Sequence, residues 1–207
     1  RAILSGQKTQ TRRVVKPIGN DEGFVILDYG NGGWPYRSDD GDSTTHTVKR
    51  GGKLYLDETP HVCPYGKPGD RLWVRETWQG PLLESDEQID EFRQSPDVYK
   101  KPGFCAYRAT DTLDAIDQDG KELGWRPSIH MPRWASRILL EVTDVRVERL
   151  QDISEADAVA EGVRNSLHLP GGRFAKENFE HLWWTINGDG SWDANPWVWV
   201  VEFKRVE

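Results

Sequence analysis

Gly6-Gln7-Lys8-Thr9-Gln10-Thr11-Arg12-Arg13-Val14-Val15 is the stretch on which the reading of this chain turns. Ahead of it, Ala2-Ile3-Leu4 has the look of the end of an amphipathic helix, and Gly6 is placed to close that helix in a left-handed turn. After Gly6 the residues become β-branched and alternating, which predicts a strand. Three cationic side chains (Lys8, Arg12 and Arg13) and two hydroxyls (Thr9 and Thr11) therefore leave one helix-to-strand corner. Thr9, Thr11 and Arg13 share one strand face, and Lys8 in the bend is placed to turn back toward Thr11. A lysine beside a free hydroxyl on a positive corner suits an anionic or strongly polar ligand. The plainer alternative is a solvated strand with surface Lys and Arg.

Working outward, residues 16–68 are rich in Gly, Asp, Ser and Thr. Phe24–Tyr29 and Lys53–Leu56 alternate, which predicts a hairpin-like excursion within that loop. Arg71–Trp78 reads as a strand with Leu72, Val74 and Glu76 on one face. Glu76 either enters a cavity or ends the strand in an ion pair with Arg71 or a neighbour of Arg75. Leu82–Phe92 is acidic with helical spacing, Phe104–Ala109 is a short buried strand, and 111–124 is an exposed acidic turn region. Trp125–Arg137 mixes Trp125, Trp134, His130, three arginines and two prolines, so no single helix or strand accommodates it. Aromatics interleaved with arginines either hold bases or form a cation–π-laced plug.

Ile138–Val147 alternates as a strand. Ser154 caps a helix over residues 155–161 that Gly162 ends, with acidic residues in its first turn. Asn178–Ile186 is helical with Phe179, Leu182 and Trp183 as its apolar stripe. Trp197–Phe203 is the closing strand. Strands with few, separated helices predict an α+β fold built on a mixed β-barrel with flanking helices and long loop insertions.

The length of 207 residues fits one domain, 1–207, with insertions at about 18–66 and 79–135. Only 36% of the residues are hydrophobic, but 10 Trp supply large apolar surfaces, so a core is attainable. A formal net charge of −7 excludes a generic polyanion binder and confines any nucleic-acid contact to a local basic patch. Cys63 and Cys105 are the two cysteines, which fits a reducing cytoplasm and no disulfide framework. No apolar run approaches membrane length and no signal peptide is visible. The opening at Arg1, inside the expected helix, implies that native residues precede it. His46, His61, Cys63, Cys105 and His130 lack paired metal-ligand spacing. Neither a P-loop nor a G-x-S-x-G motif occurs, so no metal or cofactor is implied.

The pattern G-x-K-T-x-T-x-R over residues 6–13 resembles the signature of ASCH-domain proteins, small barrels related to the PUA domain and associated with RNA. Pro68–Glu76, Ile153–Ala158 and Trp199–Lys204 are similar to further family segments in the same order, and the whole chain resembles phage and prophage ASCH proteins. The resemblance implies a PUA-like barrel, a bacterial cytoplasm, and a modified nucleoside or RNA as partner. Small bacterial members hydrolyse the N4-acyl amide of N4-acetylcytidine with a Lys and Thr in K-x-x-T and a Glu on a later helix. Those positions are Lys8, Thr11 and Glu161 here. The implied roles are attack by Thr11, proton acceptance by Lys8, and proton shuttling or orientation by Glu161. Arg12, Arg13, Glu76, Tyr107, Arg133 and Trp134 are the expected substrate-binding set. The alternative is a module of phage origin that binds RNA or a modified base without turnover.

Overall fold

The computed structural model describes residues 1–16, 24–25, 46–50, 53–57, 63–111, 124–167 and 172–206. It is an α+β structure organised by a curled antiparallel half-barrel sheet with few helices. Residues 2–6 form hydrogen-bonded turns, with the Ser5 N–H donating to the Arg1 carbonyl at 3.0 Å, in place of the expected helix. Gly6 turns the chain at φ +71°, as its position predicts. Strand β1 (Gln10–Val14) follows.

The strands β2 (Phe24–Val25), β3 (His46–Arg50) and β4 (Lys53–Asp57) make a separate three-stranded antiparallel sheet. The strand missing from the expected hairpin is β3. Val48 is its one aliphatic residue, so no apolar alternation marks it. Residues 26–29, the rest of the first expected run, lie outside the described residues.

The expected strand Arg71–Trp78 is two short strands, β5 (Arg71–Trp73) and β6 (Trp78–Gln79). The main chain leaves the sheet after Val74, whose N–H donates to Ile138 and whose carbonyl accepts the Ser136 hydroxyl at 3.0 Å. Glu76 therefore belongs to an irregular bend. Helix α1 (Asp86–Gln94) begins later than the spacing predicts because Ser85 caps it, accepting from the Gln88 N–H, while the Leu82 N–H is engaged by Phe104. Strand β7 (Ala106–Tyr107) pairs with β6.

Segment 125–137 is built from two 3-10 turns, Ser128–His130 and Arg133–Ala135. Met131, Ala135 and Trp134 pack on Trp78 and Tyr107. Arg126 lies 5.2 Å from the Trp78 ring centroid and Arg137 lies 3.8 Å from that of Tyr107. Of the two expectations for this segment, the packing is that of the plug. Residues 112–123, most of the expected acidic turn region, lie outside the described residues.

Strand β8 (Leu139–Arg149) carries a bulge between Val142 and Asp144. Helices α2 (Glu155–Ala160) and α3 (Ala175–Asn187) separate it in sequence from β9 (Trp197–Arg205). The main sheet runs β1-β9-β8-β5, so the final strand is central and pairs with both β1 and β8. Alternation along β9 divides the apolar residues between two faces. Val198 and Val200 pack with Leu150, Ala158, Phe179, Trp183 and Trp192 under α2 and α3. Trp199 and Val201 pack on the opposite face with Val15, Cys63, Val142 and Val147. Each fully buried valine contributes about 1.5–3 kcal/mol of transfer free energy. In α3 the inward stripe is Ala175, Phe179 and Trp183. Leu182, expected in that stripe, is 40% exposed because it is rotated about 100° from Trp183. Among the described residues, no helix is long and apolar enough to cross a membrane.

Candidate functional site

Helix α2 is placed by its own ends. Ser154 caps its start, and Asp157 returns the bond in a capping box. Glu161 forms the C-cap, and Gly162 then turns away at φ +90°. The terminus docks on the beginning of β1 through backbone: Thr9 N–H donates to the Ala160 carbonyl at 2.8 Å, and Lys8 and Glu161 form an antiparallel bridge. That bridge carries the two side chains to one place although they are 153 residues apart. The Lys8 ammonium donates to the Glu161 carbonyl oxygen at 2.8 Å and to Oε2 at 2.7 Å. The carboxylate is almost fully buried, and the lysine side chain is 26% exposed. A carboxylate at a helix C-terminus opposes the helix dipole, and the paired cations offset that cost.

Gly162 allows the close approach. A Cβ there would stand 3.2 Å from both the Lys8 and Ala2 Cβ atoms, in a backbone conformation that L residues disfavour. Gly162→Ala is expected to lower stability by about 1–2 kcal/mol. Comparing the two proteins by chemical denaturation tests this, and an unchanged midpoint would contradict it.

Beyond Lys8, the same face of β1 continues with Gln10 and Arg12, both buried. Gln10 donates to the Asp157 carbonyl and carboxylate. Arg12 donates through Nε (3.0 Å) and Nη2 to Glu148 and through Nη1 to Glu161 Oε1 at 3.3 Å, with Asp157 3.6 Å away. Arg146 adds ion pairs to Glu148, Asp157 and Glu202. Three cations, Lys8, Arg12 and Arg146, are thus interleaved with Glu148, Asp157, Glu161 and Glu202 between the sheet and α2.

Burial pushes the Asp157 carboxyl up. The Ser154 hydroxyl and N–H, the Gln10 amide and the Arg12 charge outweigh that and hold it below the usual aspartate value. A depressed folded pKa contributes stability above the unfolded value of about 3.9, lost as pH falls through the folded one. The acid limb of a stability–pH curve in that window is therefore expected to flatten in Asp157→Asn; an identical limb in both proteins would contradict the assignment.

The other expected site residues lie elsewhere. Thr11 pairs across from Val201 and Arg13 from Trp199, so both occupy the sheet face opposite Arg12. Among the described residues the Thr11 hydroxyl has no hydrogen-bond partner, and Arg13 is exposed with Nη1 donating to the Arg12 carbonyl. Lys8 consequently turns toward Glu161, where the expectation turns it toward Thr11. Arg12, expected to touch substrate, is 2% exposed with its donors committed to carboxylates.

Glu76 and Tyr107 come together in a second place. Glu76 binds Arg137 in a two-pronged pair at 2.8 and 2.9 Å, not Arg71, and the Tyr107 hydroxyl donates to the Ala135 carbonyl at 2.6 Å. Burial also pushes the Tyr107 phenol well above its usual value, so these groups fasten the 125–137 segment. Arg133 is exposed, and half-buried Trp134 sits edge-on to Trp78 at 5.5 Å.

Gln10, Arg146, Glu148, Asp157 and Glu202 are absent from the expected set. A signal for them exists: Asp144, Arg146 and Glu148 form a charged stripe that alternates with Val145 and Val147, and Gln10 precedes Arg12 by two residues. Among the described residues no group of His, Cys, Asp and Glu has the geometry to hold a metal ion. Comparison with protein-family models, curated proteins and solved structures finds no match for this chain.

Proposed function

We propose that this chain is an ASCH-type domain with a PUA-like barrel that removes the acyl group from an N4-acylated cytosine nucleoside. The observation that carries the reading is the meeting of Lys8 with Glu161, two of the three positions that the ASCH resemblance singles out. An ammonium has three N–H donors, and Glu161 takes two of those of Lys8 among the described residues. The remaining donor sits on a partly exposed side chain, suited to the acyl carbonyl oxygen and to the negative charge that develops on it during attack. In this role Lys8 is a donor to the oxyanion, and Glu161 holds it in place. A water held beside Lys8 attacks the acyl carbon, the C–N bond breaks, and one proton of that water passes to the exocyclic nitrogen as cytidine leaves, giving the acid. The attack by Thr11 that the resemblance implies would need its hydroxyl on the Lys8 side of β1, and β1 pairing puts it on the other.

One observation favours a second reading, binding of RNA or a modified base without turnover: Thr11 faces away from the Lys8–Glu161 pair. Incubation with N4-acetylcytidine separates the two. Release of cytidine and acetate supports hydrolysis. No cytidine, together with salt-dependent retention of RNA, supports binding alone.

A further inference from the structure

We infer that Arg12 is a positioning residue for Lys8, acting through Glu161, so that a relay Glu148–Arg12–Glu161–Lys8 aims the ammonium from beneath. The two oxygens of Glu161 are divided: Oε1 receives Arg12 Nη1 at 3.3 Å and Oε2 receives Lys8 at 2.7 Å. A carboxylate held by Lys8 alone is free to rotate and exchange its oxygens. Arg12 removes that freedom because its guanidinium is a rigid planar fork whose Nε and Nη2 are already fixed on Glu148.

The fork is itself confined on every side. Asp157 of α2 lies 3.6 Å from Nη2, the Phe179 ring of α3 lies 5.9 Å from the guanidinium carbon, and the Arg12 side chain is fully buried. Arg146 completes the enclosure by pairing with Glu148, Asp157 and Glu202, which ties the Glu148 end of the relay to the sheet. A group so enclosed touches no substrate. Its contribution to the site is the direction in which Lys8 points.

The inference rests on the proposed function only in placing the ligand at Lys8. Its test is made without substrate. The probe is acetylation by the N-hydroxysulfosuccinimide ester of acetic acid at pH 8, followed lysine by lysine by peptide mass spectrometry. Arg12→Lys keeps the charge and removes the fork. Lys8 is expected to react about tenfold faster in it, the factor corresponding to loss of one charge-assisted hydrogen bond, while Lys67 and Lys101 stay within about twofold. Glu148→Gln, at the far end of the relay, is expected to act in the same direction and serves if Arg12→Lys does not fold. Glu202→Gln removes an equal charge from Arg146 outside the relay and is expected to leave Lys8 within about twofold.

Unchanged Lys8 reactivity in a folded Arg12→Lys or Glu148→Gln protein overturns the inference. So does a rise shared by all lysines, which reports general loosening, or an equal rise in Glu202→Gln, which reports charge alone. If Lys8 responds as expected but the wild-type protein yields no cytidine, the relay stands and the hydrolase reading fails. Cytidine release with a silent Lys8 has the reverse meaning.

Discussion

Arg12→Ala is expected to lower the free energy of unfolding by about 3–5 kcal/mol. The loss is large because the substitution leaves charges behind. Glu148, Asp157 and Glu161 surround a guanidinium with no solvent exposure, and two of the three carboxylates are themselves nearly buried. Removing their shared counter-charge leaves anions in a poorly solvated space with fewer donors. Arg13→Ala is the internal reference: Arg13 is exposed on the other face, and its replacement is expected to change stability by no more than about 0.5 kcal/mol. Urea titration of the three proteins makes the comparison, and a loss below about 1 kcal/mol in Arg12→Ala would contradict the buried junction. Arg12→Ala combined with Glu148→Ala is expected to cost less than the sum of the two single changes, because once either partner is gone the other is already unpaired.

Lys8→Ala is expected to lower kcat on N4-acetylcytidine by about 10²–10³-fold, the loss associated with one preorganised donor to a developing oxyanion. Cytidine release followed by liquid chromatography measures it, with circular dichroism confirming that the fold is kept. The Lys8 side chain is partly exposed and stands at the edge of the junction, so its removal spares the Arg12 contacts to Glu148 and Glu161. Activity within tenfold of wild type in a folded Lys8→Ala protein would remove Lys8 from the chemistry. Thr11→Ala then divides the mechanism further. Collapse of turnover assigns the attack to the Thr11 hydroxyl despite its outward face, and retained turnover assigns it to water held near Lys8.

Several elements were legible because local chemistry alone specifies them. Gly6 and Gly162 both take the positive φ that their places after helical patterns demand, and Ser154 caps α2 as its spacing with Asp157 requires. β8 was clear from its alternation and β9 from its unbroken apolar run, which it has because both of its faces pack against apolar side chains. The break after Val74 was not legible: Ser136 and Ile138, more than sixty residues later, satisfy the Val74 backbone and release the chain from the sheet. The fate of Arg12 was hidden for a similar reason. An arginine next to Arg13 in a polar strand looks solvated, and only the docking of α2 and α3 on that face turns one neighbour into a buried anchor and leaves the other at the surface.

By itself, then, the sequence determined the turns, the caps, the long strands and the candidate residues at the β1 corner, all of which follow from side-chain chemistry within a few neighbours. Only the tertiary structure decided which of those candidates share a face. Strand parity separates Thr11 from Arg12, and the β9–β1 register gives each of them its side. The backbone bridge of Lys8 to Glu161 joins groups 153 residues apart, a contact set by how α2 packs and carried by no local pattern.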